Sequence, residues 1–275
     1  MNLNESRICF IGAGNMASCI IGGLIKKDFP AQQIIASAPS EKNLKSLKDT
    51  LNISVNSNNQ QAVSEADIIV LSVKPQVLQS ACEEISGSLT HKPLIISIAA
   101  GISIESIDLW LGGNLPIIRC MPNTPSQVLK GASGLIANTQ VTDSQKQATS
   151  SLFSSIGIVE WVKDEAQMHA VTALSGSGPA YIFLVIEAME AAAVKQGLSP
   201  ETARKLAAQT AAGAAEMVLK SDIEPAQLKL NVMSPGGTTE RAIQTFESLG
   251  LVSVFDQAIN AATKRSIEMS AQLKG

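Results

Sequence analysis

The stretch ICFIGAGNMA, residues 8–17, determines how the first half of this chain folds. Its four leading apolar residues predict a buried strand, and the segment after Ala17 carries apolar residues at helical spacing. Between them, Gly12 permits a tight turn, Gly14 lets the backbone approach a pyrophosphate, and Ala17 lets the helix pack closely on the strand. The N-terminus of the helix attracts an anion. The unit predicts a dinucleotide site; a tight turn without a ligand is the alternative.

Further apolar runs follow this unit at regular intervals through the first half of the chain. Predicted strands lie at 8–11, 34–36, 68–73, 94–99, 117–120 and 134–137, and predicted helices at 17–27, 41–51, 59–65 and 76–85. Strands that alternate with helices predict a parallel sheet with helices on both faces. The strands are apolar at successive positions, as expected when both faces are covered. We therefore predict an α/β Rossmann-type dinucleotide-binding domain over residues 1–164.

The second half has a different character, because strand patterns end near residue 165. Helical stretches are predicted at 179–196, 200–220, from about 238, and at 252–272. Ser199 and Pro200 form a typical helix start, with a serine N-cap before a proline in the first turn. We predict an all-α domain over residues 165–275. Its alanine-rich helices would pack closely either within one chain or across a subunit interface, and the pattern leaves both open.

Composition excludes several classes of function. Of the 275 residues, 45% are hydrophobic, 16% charged and 3% aromatic, and the net charge is −3, which disfavours binding to nucleic acid or anionic lipid. The N-terminus has no secretory h-region, and no stretch reaches about 18 uncharged apolar residues, so we predict no membrane span. Four scattered cysteines and two histidines predict reduced thiols, a cytoplasmic location and no metal site.

Several polar or small residues follow the predicted strands, at the sheet edge where ligands of such folds bind. Ser72-Val73-Lys74-Pro75 and Ala99-Ala100-Gly101 each end a buried strand. Near Ser37, where NAD-specific sites carry a carboxylate for the ribose, this chain has SAPS at 37–40. Hydroxyls suit a 2′-phosphate better, so we predict NADP(H) over NAD(H). The loop RCMPNTP, 119–125, either shapes the nicotinamide pocket or is a turn.

Two small-residue loops precede helices in the second half. They are SGSGPAY at 175–181, which includes Ser175, and SPGGTT at 234–239. Free N–H groups and hydroxyls at a helix N-terminus can bind a small carboxylate, or can simply cap the helix. No Ser-His-Asp set or carboxylate pair is apparent. Reducing a carbonyl usually requires a proton donor, whereas a protonated C=N bond is already electrophilic, so the pattern favours imine reduction.

Together these motifs resemble the pyrroline-5-carboxylate reductase family over essentially the whole chain. The resemblance rests on residues 11–17, SVKP at 72–75, MPNTP at 121–125, AVTALSGSGPAY at 170–181 and VMSPGGTT at 232–239, of which the last is the most specific. It implies reduction of (S)-1-pyrroline-5-carboxylate to L-proline with NAD(P)H. It also implies dimers through intertwined C-terminal helices, often gathered into decamers.

The resemblance also implies site residues. The expected cofactor contacts, with Ser37 added from its position, are Ile11, Gly12, Ala13, Gly14, Asn15, Met16, Asn59, Ser72, Val73, Lys74, Pro75, Ile98, Ala99, Ala100 and Asn231. The expected substrate contacts, with Ser175 added from its loop, are Glu165, Gly236, Gly237, Thr238 and Thr239. Thr239 matches the family threonine that hydrogen-bonds the ring nitrogen, and is the expected catalytic residue.

Three positions depart from the family pattern, and two other functions compete. Ala38 stands where a serine often faces the 2′-phosphate, His169 replaces a usual aspartate, and Met233 replaces a small polar residue. A β-hydroxyacid dehydrogenase would need a catalytic lysine on the first long C-terminal helix, but Lys195 lies at its far end. A dinucleotide-binding sensor without turnover is the other alternative.

Overall fold

The computed structural model describes residues 1–273, and within them it contains one mixed sheet and twelve α-helices. The strands are β1 (Ile8–Ile11), β2 (Ile34–Ser37), β3 (Ser54–Asn56), β4 (Ile68–Leu71), β5 (Leu94–Ser97), β6 (Ile117–Met121), β7 (Gly131–Ala137) and β8 (Gly157–Trp161). The helices are α1 (Asn15–Lys26), α2 (Glu41–Leu51), α3 (Asn59–Val63), α4 (Pro75–Ile85), α5 (Ile104–Trp110), α6 (Asp143–Phe153), α7 (Glu165–Val171), α8 (Gly178–Lys195), α9 (Pro200–Lys220), α10 (Pro225–Asn231), α11 (Thr238–Ser248) and α12 (Leu251–Gln272).

The sheet has the strand order β3-β2-β1-β4-β5-β6-β7-β8. All neighbouring pairs are parallel except β6 and β7, which run antiparallel. The chain leaves β1 for β2 on one side and returns to β4 on the other, so the order reverses between β1 and β4. This reversal is the point at which open α/β sheets bind ligands, beyond the carboxyl ends of the strands. The glycine turn that follows β1 lies there.

The predicted architecture of a Rossmann-type α/β region followed by helices is confirmed. Strands β1, β4 and β5 are buried at every position, which explains their unbroken apolar runs. Two strands and several short helices were missed. Strand β3 has only three residues, and β8 alternates half-buried and exposed positions at one sheet edge, so neither gives a continuous apolar run.

The chain divides into two compact units. The first contains Met1–Ser177 together with the C-terminal segment that begins at Ala262, and the second is Gly178–Ala261. The domain boundary predicted from the sequence lies between residues 164 and 165, where the strand pattern ends, and stays a prediction. Within the first unit, His169 Nδ1 and Ser266 Oγ lie 2.9 Å apart, so the residue that departs from the family pattern has a local partner.

Within the second unit, α8 and α9 pack against each other. Small side chains permit this contact, and Ala203 and Ala207 are its buried members on α9. Arg204 reaches across with two hydrogen bonds of 2.9 Å each to the carboxylate of Glu190. These bonds lower the pKa of Glu190. Despite this packing, α8 has no buried residue within the described chain, and its apolar side chains Phe183 and Leu184 are 64% and 65% exposed.

The helical run Glu165–Lys195 is longer than the sequence pattern predicted. A π-helical turn, Thr172–Gly176, joins α7 to the start of α8 and makes a run of 31 residues whose mean hydropathy reaches 1.3. By length and composition alone it could cross a membrane. From the sequence, the glycines at 176 and 178 predicted a loop before the helix, and no uncharged apolar stretch reaches about 18 residues. A helix that packs inside a soluble protein passes the same test.

Candidate active site

The turn after β1 requires glycine at its first position. Gly12 has φ +108°, a backbone conformation that L side chains rarely adopt. A Cβ there would lie 2.6 Å from the carbonyl oxygen of Ser72. The turn and β4 are further joined by the Ser72 hydroxyl, which donates to the carbonyl oxygens of Ile11 and Gly12 at 3.0 Å. The close approach of these two backbones is therefore built into the site.

The second glycine leaves space for a ligand. Gly14 is the N-cap of α1, has no side chain with which to cap it, and an added Cβ would meet no atom within 4 Å. Beyond it, Ala13 is half-buried and Asn15 is exposed, so the first N–H groups of α1 face an open region. Unsatisfied N–H groups at a helix N-terminus favour an anion. The turn fits a dinucleotide pyrophosphate.

The ends of β4 and β5 lie on the same side of β1 as the expected nicotinamide half of the cofactor. Val73 is half-buried and Lys74, the N-cap residue of α4, is exposed. Pro75 takes the first position of α4, where its missing N–H costs nothing. After β5, Ile98 and Ala100 are half-buried, while Ala99 is buried. The structure thus brings these predicted cofactor residues to one sheet edge.

Ser37 and Asn59 form a pair on the other side of β1. Ser37 is fully buried, and its hydroxyl donates to Asn59 Oδ1 at 2.7 Å. Asn59 Nδ2 in turn donates to Glu84 at 2.8 Å. Ser37 therefore orients Asn59 through its side chain. The exposed hydroxyl in this loop belongs to Ser40, the N-cap residue of α2, and buried Ala38 lies between the two serines.

Arg119 and Glu165 form an ion pair that the sequence analysis did not predict. Arg119 lies on β6, is 1% exposed, and its Nη1 lies 2.5 Å from Glu165 Oε2. The other oxygen of Glu165 accepts a 2.8 Å hydrogen bond from the backbone N–H of Ile104. An arginine inside the apolar strand run IIRCM was the available sequence signal. A charged residue so deeply buried needs a partner, which sequence alone does not name.

Asn123 connects the proline-framed loop to the SGSG segment. Its Nδ2 donates to the carbonyl of Ser175 at 2.9 Å, and its Oδ1 accepts from the N–H of Ala132 at 2.9 Å. Ser175 also donates its hydroxyl to the Val171 carbonyl at 3.0 Å. The Ser175 side chain therefore has an internal partner. The loop RCMPNTP is a rigid connection between strands and the π turn rather than a free turn.

The loop before α11 provides a second helix start with open donors. Gly236 has φ +72°, and its N–H donates to Glu240 at 2.7 Å, which closes the turn. Gly237 is the N-cap, and an added Cβ would lie 2.9 Å from the Ser234 carbonyl oxygen. The structure gives the hydroxyls of Thr238 and Thr239 no hydrogen-bond partner among residues 1–273. This arrangement offers hydroxyls and N–H groups to a small anion.

Asn231, the remaining predicted cofactor residue, is the last residue of α10. Its side chain is exposed and accepts a 2.8 Å hydrogen bond from Gln227 within the same helix. Asn231 and the loop before α11 both belong to the second compact unit, whereas the glycine turn belongs to the first.

Burial raises the pKa of all four cysteine thiols, Cys19 included. Burial raises the pKa of the Cys9 and Cys82 thiols to about 12, and raises that of Cys120 well above its usual value. Thiols with such pKa values stay protonated near neutral pH. Within residues 1–273, no cluster of three or more His, Cys, Asp or Glu side chains could hold a metal ion.

A largely parallel sheet with a glycine turn at its switch point defines a Rossmann-type dinucleotide-binding protein. Comparisons with known proteins narrow this class. Residues 7–101 match the family model for coenzyme F420-dependent NADP oxidoreductases, and residues 165–269 match the model for pyrroline-5-carboxylate reductase dimerisation. The chain is 49% identical to the pyrroline-5-carboxylate reductase of Pseudomonas aeruginosa, over 98% of this chain and 99% of that protein.

Solved structures agree with the sequence comparison. A pyrroline-5-carboxylate reductase from Coxiella burnetii has a TM-score of 0.94 and 43% identity, covering 96% of this chain and 98% of that one. The NADP-bound pyrroline carboxylate reductase of Plasmodium falciparum has a TM-score of 0.86 and 33% identity, with coverages of 98% and 100%. The chain belongs to the pyrroline-5-carboxylate reductase family.

Proposed function

We propose that this chain reduces (S)-1-pyrroline-5-carboxylate to L-proline by hydride transfer from NADPH, the last step of proline biosynthesis. The observation that carries the proposal is the glycine turn, with its open approach at Gly14, in a chain that is 49% identical to a pyrroline-5-carboxylate reductase over nearly its whole length. NADPH, when bound, supplies the hydride. The C=N carbon of the protonated imine accepts the hydride, the C=N π electrons pass to the nitrogen, and the nitrogen keeps the proton that it already carried. The products are L-proline and NADP⁺.

The preference for NADPH is supported by the loop after β2. No carboxylate stands at the strand end to bind a ribose 2′-hydroxyl. Ser40 and Lys42 are exposed at the start of α2, where a 2′-phosphate would meet a hydroxyl and a positive charge. A similar structure has NADP bound. We propose NADH as the second, less favoured cofactor, and a lower kcat/KM with NADPH than with NADH would contradict this order.

The substrate would be held by groups of the loop before α11. In this proposal Gly236 and Gly237, whose own N–H groups bond Glu240 and Ser234, shape the turn, and the N–H groups and hydroxyls of Thr238 and Thr239 bind the carboxylate. The Thr239 hydroxyl also orients the ring nitrogen.

Glu165, from the resemblance, and Ser175, from its loop, also belong to the proposed substrate site. Their side chains have partners inside the protein, Ser175 the Val171 carbonyl and Glu165 both Arg119 and the Ile104 N–H, so we propose that they support the site from behind. The cofactor contacts are proposed at the residues given by the sequence analysis, including Asn231. We propose that residues 1–164 bind the cofactor and that residues 165–275 bind the substrate and form the dimer.

The test is a spectrophotometric assay of NADPH oxidation with pyrroline-5-carboxylate. Thr239→Ala should lower kcat/KM about 10- to 1000-fold, the range for one positioned hydrogen bond in a reduction site. Thr245→Ala is the matched control, because Thr245 lies on the same helix and bonds only the Arg241 carbonyl. Wild-type kinetics in Thr239→Ala would refute the role of this hydroxyl.

The same assay separates the competing functions. A folded protein that binds NADPH but never oxidises it in the presence of pyrroline-5-carboxylate would be the sensor. Turnover of a β-hydroxyacid but not of the imine would indicate the dehydrogenase. The structure places Lys195 as the last residue of α8, far along the helix from its first turn.

We further propose that the helices of the second unit form a homodimer interface and that such dimers assemble into a decamer. Apolar residues such as Phe183, Leu184 and Leu206 are 64%, 65% and 56% exposed, more than an isolated soluble chain usually tolerates in one region. The dimerisation model matches the same helices. A partner chain would cover them in a cytoplasmic protein. Retention of the protein in the soluble fraction as a dimer supports this, and co-sedimentation with liposomes would favour a membrane.

A further inference from the structure

Arg119 is a charged residue in the protein interior, and its burial needs a physical explanation. It is the largest fully buried side chain in the described structure, on a central strand between β5 and β7. Its Nη1 bonds Glu165, while its buried Nη2 has no hydrogen-bond partner among residues 1–273. The Glu165 side chain is 36% exposed, so only the arginine is deeply buried. Burying a charge costs free energy that a single ion pair often does not recover. A gain in folding stability is therefore a poor explanation for this ion pair, and its geometry points to another role.

Glu165 connects this arginine to the chain segment after β5. Its Oε2 meets Arg119, and its Oε1 accepts the N–H of Ile104, the first residue of α5. Both oxygens are thus engaged within the protein. Residues 98–103 lie between the end of β5 and this anchored N–H. At the start of this segment, Ala99 N–H donates to Ser97 Oγ at 3.3 Å, and Ser97 lies opposite Arg119 in the sheet.

The position of this segment relates it to one half of the cofactor. In sheets of this type the ribose with the 2′-group lies beyond β2, on one side of the switch point. The other half of the dinucleotide then extends over β4 and β5, toward residues 98–103. Moving this segment should disturb the nicotinamide half and leave the adenosine half in place.

We propose that Arg119 and Glu165 are a positioning pair. Arg119 fixes the carboxylate of Glu165, and that carboxylate holds the N–H of Ile104, so that residues 98–103 present a fixed surface to the nicotinamide half. Glu165 then serves the reaction through the loop rather than by direct contact with the imine. This inference rests on the proposed function for its kinetic readout, but not for its binding readout.

The experiment uses the paired variant Arg119→Met/Glu165→Leu in the full chain. Removing both charges avoids leaving one buried alone, so the variant should fold. The matched control is Arg7→Met/Glu65→Leu, which removes an exposed ion pair at the opposite end of the strands. For each protein we would measure the melting midpoint, kcat and both KM values, and the Kd values of NADPH and of 2′,5′-ADP, which carries only the adenosine half.

A positioning role predicts a specific pattern. In the paired variant kcat/KM for NADPH should fall about 10- to 100-fold, because misplacement by about an ångström costs that much. The Kd of NADPH should rise while the Kd of 2′,5′-ADP stays within about twofold, and the control should match wild type throughout. Because residues 98–103 lose their anchor in the paired variant, kcat should fall. The KM for the imine should stay unchanged, because no substrate contact is removed.

Other outcomes would overturn the inference. Unchanged kinetics and NADPH binding would show that residues 98–103 need no such anchor. Equal weakening of NADPH and 2′,5′-ADP would indicate general loss of structure. A raised KM for the imine with unchanged kcat would make Glu165 a substrate contact. If the wild-type protein binds NADPH but reduces no imine, the proposed function fails, and the ratio of the two Kd values still tests the pair.

Discussion

Replacing Gly12 by alanine should damage the fold before it damages cofactor binding. The added Cβ would lie 2.6 Å from the Ser72 carbonyl oxygen and 2.8 Å from its carbonyl carbon. These are backbone atoms of the neighbouring strand segment, so they cannot rotate away as a side chain would. In addition, φ at this position is +108°, where alanine is strained. The two effects act on the same turn and both oppose folding.

The size of the effect follows from these two terms. A left-handed backbone conformation costs an L residue roughly 1–2 kcal/mol. Overpacking in a well-packed region costs about 1–3 kcal/mol. Gly12→Ala should therefore destabilise the protein by about 2–5 kcal/mol. At about 2–4 °C for each kcal/mol in a domain of this size class, the melting midpoint should fall by about 4–20 °C.

Gly14→Ala separates folding from binding at the same turn. The new methyl meets no atom within 4 Å and φ at Gly14 is −88°, so only the loss of a favourable N-cap opposes folding, at below about 1 kcal/mol. The same methyl would occupy the space through which the pyrophosphate approaches. Losing a charge-assisted hydrogen bond costs about 1.5–3 kcal/mol, so the Kd of NADPH should rise about 10- to 100-fold.

Differential scanning fluorimetry and fluorescence titration of NADPH measure the two effects independently. We expect a low melting midpoint for Gly12→Ala without cofactor, and a near wild-type midpoint with weak binding for Gly14→Ala. If Gly12→Ala has the same melting midpoint as the wild-type protein, the turn relaxes without cost and the steric argument is wrong. If Gly14→Ala binds NADPH as tightly as wild type, the pyrophosphate does not approach at Gly14.

Three further perturbations test other parts of the structure. Asn123→Ala should lower the free energy of unfolding in urea, by about 1–3 kcal/mol for each backbone group left unpaired, and an unchanged urea midpoint would contradict the bonds described. Cys9 and Cys82, whose pKa values burial raises to about 12, should resist iodoacetamide at pH 8 until urea unfolds the chain, as mass spectrometry would show. Phe183→Asp should raise the dimer dissociation constant in analytical ultracentrifugation, and a tight dimer would place Phe183 outside the interface.

Local sequence predicted the elements that carry the site. The strand Ile8–Ile11 and the helix Glu41–Leu51 have the predicted bounds, because buried apolar runs and a serine N-cap are signals within a few neighbouring residues. The glycine turn was predicted for the same reason. Strand β8 was missed because its pattern of half-buried and exposed residues depends on its place at the sheet edge. The antiparallel turn from β6 to β7 was missed because strand direction is a property of the whole sheet.

The sequence by itself determined the Rossmann turn, the alternation of strands and helices, and the family resemblance. Only the tertiary structure decided which distant groups meet. It paired Arg119 with Glu165, 46 residues apart, and turned the Ser37 hydroxyl inward to Asn59. Helix caps and turns are specified by neighbours in the chain, whereas a buried polar group takes its partner from whatever element the completed fold brings beside it.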